Sequence, residues 1–243
     1  MRRVSKKGVK TLRKKVASTK KRKTMASSSG YKLPAMLTSK GSEKKALDIP
    51  VTATDFLTAG TIIPLNIVTQ GAAFYNRIGS RIELSSIQFR GFINPNTNPP
   101  SGVDIGRIIL FYDRQTNGVL PTRNELLQNR DLAGNATNAG LVGINLDNRD
   151  RFLVIRDQHI FFPESYGAVS PVVASVNTTS KEGMNELLVN VYVKLKGLTT
   201  QFKANAGNIG NISSGGLFLL FISQAVNNKR NCTWTTRLRF KDS

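Results

Sequence analysis

The chain has 243 residues, of which 35 are Lys or Arg and 15 are Asp or Glu, so its formal net charge at pH 7 is +20. A single cysteine, Cys232, excludes an intrachain disulfide framework, and together with the single histidine, His159, it leaves too few ligands for a Cys- or His-based metal centre, so we expect no metal and no cofactor in the chain. No apolar run is long enough for a signal peptide or a membrane span, which predicts a soluble protein with no membrane partner.

The positive charge is concentrated at the start of the chain. Residues 1–45 carry 16 Lys or Arg and one Glu, which leaves 19 basic and 14 acidic residues for 46–243. Residues 1–45 also offer too little apolar surface to offset the entropy of ordering them. The sequence therefore predicts a disordered Lys/Arg-rich arm over 1–45 and one folded domain over 46–243.

Residues 1–23, MRRVSKKGVKTLRKKVASTKKRK, contain twelve Lys or Arg and no acidic residue. So much unopposed charge indicates a polyanion, and nucleic acid is favoured over a membrane because the segment has only a few scattered apolar residues. The predicted nucleic-acid-binding residues are Arg2, Arg3, Lys6, Lys7, Lys10, Arg13, Lys14, Lys15, Lys20, Lys21, Arg22 and Lys23. The clusters Arg13, Lys14, Lys15 and Lys20, Lys21, Arg22, Lys23 also fit a nuclear localisation signal. A merely solubilising tail is the alternative.

The rest of the chain reads as apolar strands separated by clusters of Gly, Pro, Asn and Thr. Eight strands are predicted, and a short ninth is weakly indicated near 200–204; the eight are 47–57, 61–69, 81–93, 105–112, 152–162, 187–198, 216–224 and 231–241. This count favours an all-β, two-sheet antiparallel sandwich. One helix is predicted over 121–131, where Thr122 and Glu125 stand at the spacing of a capping box.

The strand patterns also predict which faces are buried. The last strand has one apolar face and one polar, basic face, and the basic face carries Arg237, Arg239 and Lys241. In the third strand the apolar parity changes at Ser85 and Ser86, which predicts a bulge there. Residues 108–112 and 217–222 are apolar at every position, so their outer face must be covered either by loops or by another copy of the protein.

The sequence gives little support for catalysis, and we expect no enzyme activity. His159 is the one side chain whose ordinary pKa suits acid–base chemistry near neutral pH, and its place in an alternating strand favours a surface position. The glycine-rich segment GNIGNISSGG, residues 207–216, lacks the Lys-Ser/Thr of a phosphate-binding loop and runs into a strand.

Several segments of the body resemble those of a known family. The carboxyl-terminal TRLRFKDS, residues 236–243, resembles the final strand of geminivirus-like coat proteins, with Arg239 and Lys241 in place of aromatic residues. GLFLLFISQAVNN (216–228) and VYVKLKGLTTQFKAN (191–205) are similar to the strands before it. NRIGSRIELSSIQFRG (76–91) resembles the third-strand region in coat proteins of small circular single-stranded DNA viruses, the CRESS DNA viruses.

This resemblance implies a single eight-stranded antiparallel jelly roll that forms a small icosahedral shell of identical copies. The arm would then package a single-stranded genome, DNA being favoured over RNA, and Arg237, Arg239 and Lys241 would add basic surface. The implied partners are the protein itself, the genome and host nuclear import receptors, and the implied locations are the virion and, during assembly, the host nucleus. The alternatives are a cellular basic nucleic-acid-binding protein of ribosomal or nucleoplasmic type and a cupin-like binder or enzyme, which the single histidine disfavours.

Overall fold

The computed structural model describes residues 44–95, 104–128, 140–162, 187–224 and 230–242. These residues form nine strands: β1 (Lys44–Asp55), β2 (Thr61–Pro64), β3 (Arg81–Pro95), β4 (Asp104–Asp113), β5 (Phe152–Phe162), β6 (Leu187–Phe202), β7 (Ile212–Ser214), β8 (Gly216–Ser223) and β9 (Arg230–Asp242). One short helix, α1 (Arg123–Leu126), and two 3₁₀ turns, Leu146–Asn148 and Ile209–Asn211, lie in the connections.

The strands form two antiparallel sheets, one in the order β1-β9-β3-β6-β7 and the other in the order β2-β8-β4-β5. Successive strands pass repeatedly from one sheet to the other, so that β1 pairs with β9 and β2 with β8 although most of the chain separates them. This is the arrangement of a jelly roll, and the predicted all-β fold class is confirmed. The described strands number nine because the short β7 extends the first sheet.

An aromatic cluster fills the space between the sheets. Trp234 of β9 packs on Phe89 and Phe221 with ring centroids 5.8 and 5.9 Å apart, and Phe56 meets Phe221 edge to face. Cys232 lies fully buried on the same inward row of β9, and burial raises the pKa of its thiol to about 12. The thiol is therefore neutral at physiological pH and packs as a small apolar side chain.

The predicted bulge in the third strand is present, because the pairing of β3 with both of its neighbours shifts register between Leu84 and Ser86. Two other strand predictions are wrong in part. Residues 200–202 continue β6 instead of forming a separate strand, since Lys196 and Gly197 adopt positive φ values of 49° and 75° in a bulge that the strand passes through.

The second strand ends at Pro64, five residues before its predicted end. The buried Asn66 explains this, because its side chain takes over the pairing that a longer strand would make. Its Oδ1 accepts a hydrogen bond from the Leu217 backbone at 2.9 Å, and its Nδ2 donates to Thr200 Oγ1 at 2.7 Å and to the Gly215 carbonyl at 2.8 Å. One fully satisfied amide thus joins β8 to the end of β6.

The predicted helix is confirmed only over Arg123–Leu126. Glu125 closes its first turn by accepting a hydrogen bond from the Thr122 backbone at 2.7 Å, as the capping-box spacing indicates. Leu127 is already extended and pairs with Ile144, which ends the helix, and residues 129–131 lie outside the described residues.

Loops of this chain cover the outer face of the second sheet. Leu126 and Leu127 are buried against the outward side chains of β4 and β8, and Val142 and Ile144 pack on the same cluster; its other buried members are Ile109, Phe111, Phe152, Phe218, Leu220 and Ile222. Of the two alternatives for the all-apolar strands, cover by loops is therefore the one observed. The apolar runs accordingly give no support for a partner copy at this face.

Arg151 joins these covering loops, which carry Leu126, Leu127, Val142 and Ile144, to the end of β4. Its guanidinium donates to both carboxylate oxygens of Asp113, at 3.0 and 2.8 Å, and to Glu125 at 3.1 Å. Asp113 is completely buried, and one of its oxygens also accepts from the Gln115 backbone at 2.8 Å. A buried carboxylate of this kind is stable only because it is paired.

We expect the substitution Thr236→Val to stabilise the fold. The Thr236 hydroxyl is buried in the core and finds no hydrogen-bond partner among the described residues. Replacing it with a methyl group of the same shape removes an unsatisfied polar atom, so the free energy of unfolding should rise by about 1 kcal/mol. Urea denaturation measures this change.

A matched control lies on the neighbouring strand. Thr54 is also buried, but its hydroxyl accepts a hydrogen bond from Trp234 Nε1 at 2.9 Å. Thr54→Val should therefore lower the free energy of unfolding by about 1–2 kcal/mol. Equal changes in the two variants would show that the hydrogen bonding of the hydroxyl does not decide the result.

Candidate nucleic-acid interface

The outward face of β9 carries the three cations predicted from its alternation. The side chains of one parity are buried, and Arg237, Arg239 and Lys241 alternate with them on the opposite face. Arg237 is exposed and the other two are half-buried. Because each is two residues from the next, successive Cα atoms are about 6.6 Å apart along the strand.

Strand pairing adds further charge beside this row. Lys241 lies between Lys44 of β1, a like charge that repels it, and Glu83 of β3, an opposite charge that offsets this repulsion. Arg239 lies opposite Ala46, which offers it no counter-charge from that strand. The register of β3 and β6 then places Arg90 and Lys194 on the same outer face. The face is therefore rich in cations across several strands.

Arg237 is held by a carboxylate. Its Nε and Nη2 donate to the two oxygens of Asp48, each at 2.7 Å, and both side chains are 53% exposed. The hydrogen bond from Arg237 is the main cause that lowers the pKa of Asp48, and burial opposes it with a smaller effect. The positive charge of Arg239 lowers the pKa further. The carboxylate therefore remains ionised and competes with any other anion for Arg237.

Arg90 has a neutral neighbour instead. With the Gln88 amide oriented so that its oxygen faces the guanidinium, Arg90 donates to that oxygen at 2.9 and 3.0 Å. The contact steadies the arginine and brings no opposing charge to it. Gln88 lies opposite Arg237 on one side and opposite Tyr192 on the other, so a polar and aromatic row crosses the sheet here.

The remaining predicted site residues fall elsewhere. The twelve cations of residues 1–23 lie outside the described residues, and so does the predicted localisation signal, so both stay predictions. Lys44 and Lys45, assigned to the arm by composition, are the first two residues of β1.

His159 lies exposed on β5, opposite Arg107 of β4. Within the described residues, no cluster of three or more His, Cys, Asp or Glu side chains is placed to hold a metal ion. Nor does any helix in those parts of the chain have the length and apolar character needed to cross a membrane.

Sequence reasoning missed the cations contributed by neighbouring strands. The bulge at Ser85 and Ser86 indicates by parity that Arg90 points outward, but its closeness to Arg237 depends on β3 pairing with β9. The same holds for Lys194, which joins the face through the pairing of β6 with β3. Strand order is a long-range property that local alternation does not contain.

The jelly roll is an architecture shared by viral capsid, lectin and cupin domains, and the strongly basic leading segment of this chain favours the capsid class. The profile of the Geminivirus coat protein/nuclear export factor BR1 family matches residues 1–243, and the chain belongs to this family. It is accordingly a viral capsid protein, a structural component of the virion. No curated protein sequence matches the chain.

Proposed function

We propose that this chain is the coat subunit that assembles with copies of itself into a small icosahedral shell around single-stranded nucleic acid, DNA being favoured. The observation that carries the proposal is the family match over residues 1–243, which spans the basic leading segment as well as the jelly roll. The two parts would have different roles. Copies of the rigid sandwich would pack side by side into the shell, and the cationic arms would neutralise the phosphates of the enclosed nucleic acid.

The arm residues Arg2 to Lys23 supply the main binding charge in this proposal. Each phosphate that they neutralise releases counterions, so the logarithm of the binding constant should fall by about 0.7 per contact for each unit of log salt. Engagement of half of the twelve cations gives a slope of roughly −4. Arg237, Arg239 and Lys241 add a smaller basic surface on the body.

The same arm serves as a nuclear import signal for the newly made subunit. Its support is the pair of basic clusters at residues 13–15 and 20–23, which an import receptor can bind before genome packaging covers them. A fluorescent reporter fused to residues 1–23 should accumulate in the nucleus, and alanine at the seven clustered positions should return it to the cytoplasm. Equal distribution of both fusions would contradict this role.

Electron microscopy of the purified full chain tests the shell. We expect uniform closed particles, and we expect nuclease treatment to leave protected single-stranded DNA inside them. A protein that remains monomeric over a broad range of salt and pH would favour a nucleic-acid-binding protein without a shell. Protected RNA in place of DNA would correct the genome type and leave the shell in place.

A further inference from the structure

Two adjacent aromatic side chains stand out beside the basic face. Phe74 and Tyr75 lie in the connection between β2 and β3, and they are 59% and 58% exposed. Large aromatic rings bury considerable apolar area when they are covered, so a neighbouring pair left open to solvent indicates a contact surface.

The segment that carries these rings is firmly held. The buried Arg77 donates hydrogen bonds to the backbone carbonyls of Val68, Gly79 and Ala204, and its guanidinium lies 4.2 Å from the centre of the Phe202 ring. Two carbonyls of the β2–β3 connection and one from the segment after β6 thus converge on one side chain. The fixed charge orders the loop without requiring regular secondary structure.

A second clamp joins the same segment to the first and last strands, β1 and β9. Lys45 of β1 is buried, donates to the Asn76 carbonyl at 3.0 Å and pairs with Asp242 of β9 at 2.9 Å. Asp242 in turn accepts a hydrogen bond from the Ile78 backbone at 3.1 Å. Residues 76–78 are therefore tied to β1 and β9, so Phe74 and Tyr75 occupy a preorganised position beside the sheet.

The rings form one wall of a groove that contains two of the predicted cations. This aromatic–arginine groove has a volume of about 610 Å³ and is lined by Ala46, Leu47, Asp48, Phe74, Tyr75, Arg237 and Arg239. A second groove adjoins it, shares Asp48 and Arg237 with it, and leads on to Gln88 and Arg90. Together the two grooves make a path across the outer face of the first sheet.

The chemistry of this path fits unpaired nucleotides. Every base presents a flat π face that can stack on Phe or Tyr, and guanidinium groups bind phosphates with two parallel hydrogen bonds. Duplex bases are stacked on one another and are not free to use such a wall. The surrounding lysines, Lys44, Lys194 and Lys241, add charge of the same sign around the groove, which favours a polyanion as its occupant.

We propose that the aromatic–arginine groove is a second single-strand binding site, separate from the arm, in which bases stack on Phe74 and Tyr75 while Arg237 and Arg239 bind the adjoining phosphates. The inference rests on the proposed function, since its ligand is the packaged single strand. It adds that the folded body binds bases as well as charge, with no preference for one base over another.

The test uses two oligomers of equal length and charge, an oligothymidylate and the corresponding abasic deoxyribose-phosphate chain. Both present the same phosphates to the arm and to the arginines, so the ratio of their affinities for the full chain isolates base stacking. Fluorescence anisotropy should show the thymidylate bound on the order of tenfold or more tightly. The double variant Phe74→Leu, Tyr75→Leu should bring that ratio close to one while keeping the salt slope.

Phe161→Leu is the matched control, because Phe161 is 63% exposed but lies on β5 in the other sheet. Its affinity ratio should equal that of the unmodified chain. A ratio near one for the unmodified chain, or the same fall in the Phe161 variant, would overturn the site and leave the proposed function intact. Binding of neither oligomer would overturn both. A double variant that loses particles but keeps its ratio would reassign the groove to contacts between copies.

Asp48→Asn provides a test that misfolding cannot imitate. Removing the carboxylate ends its competition with the phosphate for Arg237, so the affinity for both oligomers should rise. An unchanged affinity in this variant would show that Arg237 does not contact the strand.

Discussion

Removal of residues 1–23 is expected to eliminate the nucleic acid that co-purifies with the protein, while the jelly roll stays folded. The deletion takes away twelve cations and no residue of the described sandwich. The salt slope of roughly −4 should shrink to the contribution of the sheet face, which offers fewer cations than the arm. The ratio of nucleic-acid to protein ultraviolet absorbance and a salt titration measure the two effects.

Two variants that keep an arm of full length serve as controls for the deletion. An arm with the twelve cations changed to serine should behave like the deletion, and an arm with the same residues in shuffled order should bind like the natural one, because phosphate contacts carry no sequence information. An unchanged absorbance ratio in the deletion or the serine variant would remove the arm from its proposed role.

Arg151→Met is expected to cause the largest loss of stability. The substitution leaves the fully buried Asp113 carboxylate without its charged partner, which should lower the free energy of unfolding by about 3–5 kcal/mol. It also removes the hydrogen bond from Arg151 to Glu125, the residue that closes the first turn of α1. Denaturant unfolding measures the change, and exchange of the buried backbone amides around Leu126 should report where the structure opens.

Two variants separate the buried charge from loss of the arginine side chain. Adding Asp113→Asn to Arg151→Met removes the stranded charge and should recover much of the stability. Arg237→Met breaks a bidentate aspartate pair of the same chemistry at an exposed position, and its effect should be far smaller because water solvates the remaining Asp48. A small effect of Arg151→Met would mean that Asp113 is neutral or is satisfied in another way.

The sequence predicts the strands well because alternation is a local property. Eight of the nine strands in the described parts of the chain occur where apolar runs predict them, and the bulge in β3 is visible as a change of parity at Ser85 and Ser86. Where the observed strands differ from the predicted ones, long-range contacts or local backbone geometry cause the difference. Asn66 ends β2 through a side chain that reaches β8, and the positive φ values at Lys196 and Gly197 let β6 pass a bulge.

The candidate interface is only partly visible in the sequence. Arg237, Arg239 and Lys241 follow from alternation within one strand, whereas Arg90 joins them only through the pairing of β3 with β9. Phe74 and Tyr75 are unremarkable in a segment without periodicity. Their importance appears only when Arg77 and Asp242 are seen to fix that segment beside the arginines.

The antiparallel pairing of β1 with β9 brings the start of the sandwich beside its end, because Lys44 and Lys241 are opposed. A peptide fused after β9 would therefore emerge at the corner where the chain enters β1. Tags or epitopes meant for the opposite side of the subunit are better inserted near Leu141 or Leu146, which lie exposed in the loop over the second sheet. The pairing thus dictates where foreign sequence can be displayed.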